Sequence, residues 1–259
     1  MSTRLREARS RLAGWSAWLA ALSLPVLIIA AIGHRAGLID AASTYGIIAL
    51  GFSLAALAVL AALAAFVAIW RDGSKGVGSA VRGVIVGLAV LVMPALGAWQ
   101  VVTDPRLTDI STDLVEPPQF GLVLLDRGSA DSPILDPGPA ETALQKDAYP
   151  DIVPRHYPVS TAKVFLEAKA IVDRRGWRVL SSTEPSDTNA TGTIEAVALT
   201  LIFAFRQDVV IRVAPDGDGA RVDMRSAARN AAHDLGSDAA RVRRFFADLD
   251  AALAGISGT

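Results

Sequence analysis

The sequence contains no cysteine. Disulfide bridges, thiolate metal centres and cysteine nucleophiles are therefore excluded. A domain of this chain outside the cytoplasm would be stable through its core, not through bridges. Net charge is also lacking: 25 Lys and Arg stand against 26 Asp and Glu, giving −1 and a pI of about 6.3. That balance argues against general nucleic-acid binding. His34, His156 and His233 are too scattered for a metal set. Asp109, Asp113, Asp151 and Asp208 lack the spacing of a calcium loop. No G-x-S-x-G nucleophile element is present. The expectation is a chain without metal, cofactor or catalytic residues.

Apolar residues, by contrast, are abundant. They make up 52% of the chain, and the mean hydropathy of +0.39 is too high for one soluble domain of this size. The average hides a split. Residues 1–102 carry eight Lys and Arg against three Asp and Glu, and residues 103–259 carry 17 against 23. A basic, membrane-like half precedes an acidic, soluble-looking one.

Three stretches of the first half are free of Asp, Glu, Lys, Arg and His: Trp15–Gly33, Ala41–Trp70 and Gly83–Thr103, of 19, 30 and 21 residues. A bilayer core of about 30 Å needs about 20 apolar helical residues. The reading is a transmembrane region over 1–102, with helices near 15–33, 46–70 and 83–102. Trp15, Trp18, Tyr45, Trp70 and Trp99 fall near its expected interfaces. No ionisable residue lies near a span centre, which argues against an ion or proton path. Arg4, Arg6, Arg9 and Arg11 precede the first span, only Arg35 follows it, and Arg71, Lys75 and Arg82 flank the second loop. The positive-inside rule places the N-terminus and second loop in the cytoplasm of a multi-pass inner-membrane protein, with residues 103–259 in the periplasm or otherwise outside. A cleaved signal peptide over 1–33 would reverse this, but the apolar stretch is long for one and no clean Ala-x-Ala site follows. Gly83-x-x-x-Gly87, with Ser79 upstream, offers a small-residue face for packing within the bundle or for dimerisation.

Nine of the 13 prolines lie in 103–158, which reads as an extended arm with a flexible piece at Gly128–Gly138. An α+β core follows over 159–259. Val164, Phe165, Ala168, Ile171 and Val172 mark one helix face, and Val242, Phe245, Phe246, Leu249 and Leu253 mark another. Trp177–Ser182, Thr193–Ala196, Asp208–Val213 and Arg221–Ser226 read as strands. A two-residue turn at Gly217-Asp218 sets Val213 opposite Val222, Ile211 opposite Met224, Arg212 opposite Asp223 and Val210 opposite Arg225. The order predicts an antiparallel sheet with helices on one face. Ala196–Phe205 is a ten-residue apolar run, too short to span a bilayer. It reads as a buried strand plus a turn, or alternatively as an apolar lip on a membrane or a lipid-like pocket.

Several motifs then recur in the order of a known family. They are Pro105-Arg106-Leu107-Thr108-Asp109-Ile110-Ser111-Thr112-Asp113, Glu116-Pro117-Pro118-Gln119-Phe120, Tyr149-Pro150-Asp151-Ile152-Val153-Pro154, Gly176-Trp177 and Ile194-Glu195-Ala196. Residues 203–213, Val222-Asp223-Met224-Arg225-Ser226, Asp234-Leu235-Gly236 and residues 240–245 continue the series. Over residues 104–250 the chain resembles the domain-of-unknown-function family 1499 (DUF1499). The resemblance implies a bacterial or plastid-type domain, often beside membrane segments, with no established activity. Gln207 stands where that pattern has a second acid, and Ala231 and Asp238 stand where it has Gly and Asn. If those positions bind something, this chain binds it less well.

Asp208, Arg212, Asp223 and Arg225 share the polar side of the hairpin, with Arg229 just beyond. Arginine forks suit carboxylate or phosphate, so these five are the candidate ligand-binding residues. The plainer reading is a cross-strand ion-pair lattice. His233-Asp234, with Ser226 or Ser237, suggests a hydrolase using Asp208, Arg225, His233 and Asp234, provided all converge in one cleft. The expected function is a membrane-anchored, non-catalytic binding or envelope scaffold module. Its expected partners are the lipid bilayer and an amphipathic ligand or envelope protein.

Overall fold

The computed structural model describes residues 9–129, 131–134, 136–187, 189–230 and 233–254. Arg4 and Arg6 of the basic N-terminus, Ala231, and Ala130 and Leu135 of the Gly128–Gly138 piece lie outside the described residues. The chain divides into two compact units, one built on three long helices and the other on a sheet.

Helices α1 (Arg11–Arg35), α2 (Ala41–Asp72) and α3 (Val77–Thr103) are each long and apolar enough to cross a membrane. Side-chain caps set two of their starts: Ser10 Oγ accepts from the Ala13 N–H, and Asp40 accepts from the Ser43 N–H. Gly73 ends α2 in the left-handed region at φ 62°. The buried positions are small, among them Ala13 and Ser16 of α1, Ala55 and Ala62 of α2, and Ala80, Gly83 and Gly87 of α3. Trp15, Ile32, Leu60, Trp70 and Ile85 are exposed. Lipid is as apolar as leucine, so such helices associate through close backbone approach rather than burial of large side chains. Gly83 lies against Ser16 of α1 and Gly87 against Ala55 and Val59 of α2. A Cβ at Gly87 would stand 2.7 Å from Val59 Cγ2 and 3.0 Å from the Ala55 carbonyl. The small-residue stripe packs within the bundle.

The second unit holds one antiparallel sheet: β1 (Asp109–Ser111), β2 (Arg155–Tyr157), β3 (Arg178–Thr183), β4 (Gly192–Leu199), β5 (Arg206–Asp216) and β6 (Gly219–Ala228). Strand order is β1-β6-β5-β4-β3, and β2 also pairs with β6. The β5–β6 hairpin has the register its turn dictates, with Val213 opposite Val222, Arg212 opposite Asp223 and Asp208 opposite Ala227. Helices α6 (Thr161–Arg174) and α7 (Ser237–Ala254) pack on the side of Val209, Ile211, Val213, Val222 and Met224. Val164, Phe165, Ile171, Val242, Phe245 and Leu249 complete that core. The segment between α3 and α6 adds α4 (Leu122–Asp126) and α5 (Pro139–Ala148) as well as β1 and β2. Phe120 and Val123 of this segment pack with Val210 and Ala227 on the opposite side of the sheet.

Candidate functional site

Strand alternation decides which side chains meet on that second side. Val209, Ile211 and Val213 turn toward α6 and α7, so Asp208, Val210 and Arg212 turn away. Their partners Ala227, Arg225 and Asp223 share the same side. Arg229 follows, its N–H donating to the Arg206 carbonyl. All five candidate residues therefore lie in one layer, closed by residues 109–136.

Arg229 has none of its surface exposed. Its Nε and Nη2 donate to Asp208 Oδ1 at 2.9 and 2.6 Å, and Nη2 also donates to Asp126 Oδ2 at 2.8 Å. Arg127 Nε donates to the other oxygen of Asp208 at 2.7 Å, and Arg178 reaches Asp126 at 2.6 Å. Asp131 stands 3.5 Å from Arg229 Nη1. Arg225 is equally buried and holds Asp109 through Nε and Nη2, the latter at 2.7 Å. Its Nη1 meets Asp136 and the Pro118 carbonyl at 3.4 Å, and its guanidinium lies 5.1 Å from the Phe120 ring centre. Toward the hairpin turn, Arg212 and Arg221 share Asp223 and Asp113, with N–O separations of 2.6 to 3.1 Å.

Burial works against the charges on Arg225 and Arg229, but their carboxylate partners outweigh it and hold both guanidiniums above the ordinary value. For Asp109 the balance is reversed: burial raises its carboxyl pKa despite Arg225. Arg178 and Arg229 hold Asp126 below the usual carboxylate range. Each arginine fork thus faces acidic groups of its own chain, a closed arrangement whose components are costly to separate. Glu195 adds a further tie, accepting from the Gly121, Leu122 and Val123 N–H groups at 2.8, 3.3 and 3.0 Å. It thereby satisfies the start of α4, where backbone donors have no helical partner.

Residues 109–249, more than half of the chain, match the family model described as Protein of unknown function (DUF1499). The chain belongs to the DUF1499 family. The match runs from β1 into α7, so the DUF1499 domain contains the sheet, α6 and the whole arginine layer. The three apolar helices precede it. No curated protein matches the chain.

A second polar cluster of the DUF1499 domain sits at the start of α7. Asp234 accepts from the Gly236 and Asp238 N–H groups at 3.0 and 2.8 Å and so caps the helix. Ser226 Oγ and Arg241 Nη1 both donate to Asp238 Oδ1, at 2.6 and 2.7 Å. Asp238 is fully buried, and burial pushes its carboxyl up to about 7 against the pull of Arg241. His233 Nδ1 accepts from the Leu235 N–H at 2.9 Å, and its Nε2 lies 3.3 Å from the Asp104 carbonyl. Asp234 and His233 are thus engaged with backbone at the helix start, whereas Asp208 and Arg225 lie in the layer on the other side of the sheet.

The four aspartates weighed for calcium do not form one site. Asp109 binds Arg225, Asp113 binds Arg212 and Arg221, Asp151 binds Arg243, and Asp208 binds Arg229 and Arg127. Among the described residues, no group of three or more His, Asp or Glu is placed to hold a metal ion. Sequence reasoning missed Asp126, Arg127, Asp136, Arg178 and Glu195 as members of the layer. The one visible signal was the alternation of Glu195 with Ile194 and Ala196.

Proposed function

We propose that this chain is a membrane-anchored, non-catalytic module of the cell envelope, its DUF1499 domain outside the cytoplasm of an inner-membrane protein. The observation that supports a non-catalytic role is the pair Arg225 and Arg229, wholly buried and ringed by carboxylates of the same chain. In this reading Asp208, Arg212, Asp223, Arg225 and Arg229 clamp the proline-rich segment onto the sheet. The module itself binds an amphipathic ligand or an envelope protein. The expected sidedness rests on the basic residues that flank the first span and the second loop.

Because the chain has no cysteine, a single one is an unambiguous label site. Asp218→Cys, in the exposed hairpin turn, is expected to react with a membrane-impermeant maleimide in intact cells. Labelling only after lysis would overturn the proposed sidedness. The binding role is tested by crosslinking the full chain in cells and by lipid mass spectrometry of the purified protein. A crosslinked envelope protein or a stoichiometric lipid is expected, and recovery of neither would contradict the role. Titration with inorganic phosphate probes the five arginine-layer residues directly. The clamp reading expects no saturable rise in melting temperature. A saturable rise abolished in Arg212→Gln, the least buried arginine of the five, would make the layer a ligand site instead.

A further inference from the structure

We infer that the outer face of α1, over Arg11, Gly14, Trp15 and Trp18, is a binding site for the headgroup of an anionic phospholipid. These four residues follow helical spacing, at i, i+3, i+4 and i+7, so they share one side of the helix. They line a cavity of about 360 Å³. Gly14 keeps it open: a Cβ there would meet nothing within 4 Å. Trp15 and Trp18 flank it and are 59% and 62% exposed. Helical side chains lean toward the N-terminus of their helix, so each indole inclines toward the turn before it. Trp15 thus leans toward Arg11, and Trp18 toward Gly14. Arg11, the first residue of α1, closes the polar end of the cavity.

The helices of the bundle take the other side of α1. Ala13, Ser16 and Ala20 are buried there, with Ala13 against Gly76 and Ser16 against Gly83. The outer side of a helix that crosses a membrane meets lipid. Its depth at this point is the interface, because Arg11 precedes the uncharged stretch that begins at Trp15. Tryptophan favours that depth, and arginine there reaches the headgroup phosphates. The cavity offers one guanidinium and two indoles, so its occupant carries one anionic group on an apolar body. The guanidinium fork donates to phosphate oxygens, and the indole N–H groups donate to glycerol or ester oxygens. Arg225 and Arg229 are spent on carboxylates of their own chain, whereas no acceptor among the described residues holds the Arg11 guanidinium. Arg9, Arg71, Lys75 and Arg82 stand at the same end of the helical unit against one acid, Asp72. The Ser10 N–H, donating to the Lys75 carbonyl at 2.9 Å, ties these segments together. That surplus of positive charge favours an anionic headgroup over a zwitterionic one. The site rests on the membrane-anchored reading, but not on which side holds the domain.

The test uses the full chain in nonionic detergent with equimolar phosphatidylglycerol and phosphatidylcholine, read by native mass spectrometry. One phosphatidylglycerol is expected to stay bound in preference to phosphatidylcholine. Arg11→Gln and, separately, Trp18→Ala are expected to lower the phosphatidylglycerol-bound fraction several-fold. Arg71→Gln, exposed at the same end but outside the cavity, is expected to leave it unchanged. Both side chains removed from the cavity are exposed, so the lipid-free variants should melt with the parent chain. Equal retention of the two lipids would overturn the proposal. So would equal losses in Arg11→Gln and Arg71→Gln, which would mean diffuse attraction to the basic end. Displacement of the lipid by inorganic phosphate would overturn it as well, since the site would then hold a free anion. A lipid retained undiminished in Arg11→Gln would sink this site and leave the binding role of the DUF1499 module standing. Failure of the sidedness experiment leaves all these outcomes unchanged, so the two readings fall separately.

Discussion

Asp208 and Asp238 are both buried carboxylates, and their surroundings give them opposite roles. Asp208 faces Arg229 on one oxygen and Arg127 on the other. Removing its charge takes from Arg127 and Arg229 the buried carboxylate they share, leaving Arg229 with Asp126 and Asp131. Asp208→Asn is therefore expected to destabilise the domain by about 3 kcal/mol. Arg229→Met added to it is expected to cost less than the two single changes together, because the residues are in direct contact. Chemical denaturation of the four proteins measures this coupling, and additive losses would deny the ion pair its role. Asp238 is raised to about 7 chiefly by burial. Between the unfolded value near 4 and that folded value, the native state holds more protons than the unfolded chain. Its contribution to stability is complete below about pH 4 and is lost as pH rises through about 7. Asp113 and Asp126, whose values are lowered, contribute above the ordinary carboxylate range and lose that contribution as pH falls below it. Asp109 and Asp234, also raised by burial, act in the same direction, so the Asp238 effect, at most about 1.4 kcal/mol per pH unit for one proton, is isolated by substitution rather than by pH alone. Asp238→Asn keeps an acceptor for Ser226 and Arg241 and mimics the protonated acid. Thermal unfolding of the detergent-solubilised chain should show a smaller pH slope in this variant. An unchanged slope would mean that Asp238 is ionised throughout.

At the scale of elements, α3 depends on its glycines. Gly87→Leu would force a side chain against Val59 and the Ala55 carbonyl, a cost of about 1–3 kcal/mol for overpacking. A lower melting temperature of the full chain in detergent is expected, with the β-sheet circular dichroism at low temperature intact. An unchanged melting temperature would mean that α3 does not pack on α2 through this face. Elements with a strong local pattern were legible from the residues alone. Val164, Phe165, Ala168, Ile171 and Val172 are the buried face of α6, as their spacing requires. The β5–β6 register followed from a two-residue turn, since nothing else could set it. Strands β1 and β2 were not legible. Each is only three residues long, lies among prolines, and exists because a distant β6 edge offers hydrogen bonds. The arginine layer was half legible. Asp208, Arg212, Asp223 and Arg225 announce themselves by alternation on one hairpin. Their acidic partners lie about a hundred residues away along the chain: Asp113 for Arg212, Asp109 for Arg225 and Asp126 for Arg229. No periodicity encodes such a pairing. Arg175, just past α6, reaches Asp248 of α7 at 2.7 Å, a further pairing between residues distant along the chain.

For the whole molecule, composition separated two units that obey different rules. The helical unit buries alanine, serine and glycine while exposing tryptophan and isoleucine. The DUF1499 unit buries isoleucine, phenylalanine and methionine on one side of its sheet, and charge on the other. That second side is a clamp sealed by Arg225 and Arg229 and their carboxylates. Hydrogen–deuterium exchange of the full chain in detergent, read by mass spectrometry, tests it most directly. Amides of β1 and α4 are expected to exchange as slowly as those of β5 and β6, and Asp208→Asn is expected to accelerate α4 and the neighbouring β5 segment together. Fast exchange of β1 and α4 over a protected β5–β6 hairpin would contradict it, because Arg225 and Arg229 would then stand open to solvent.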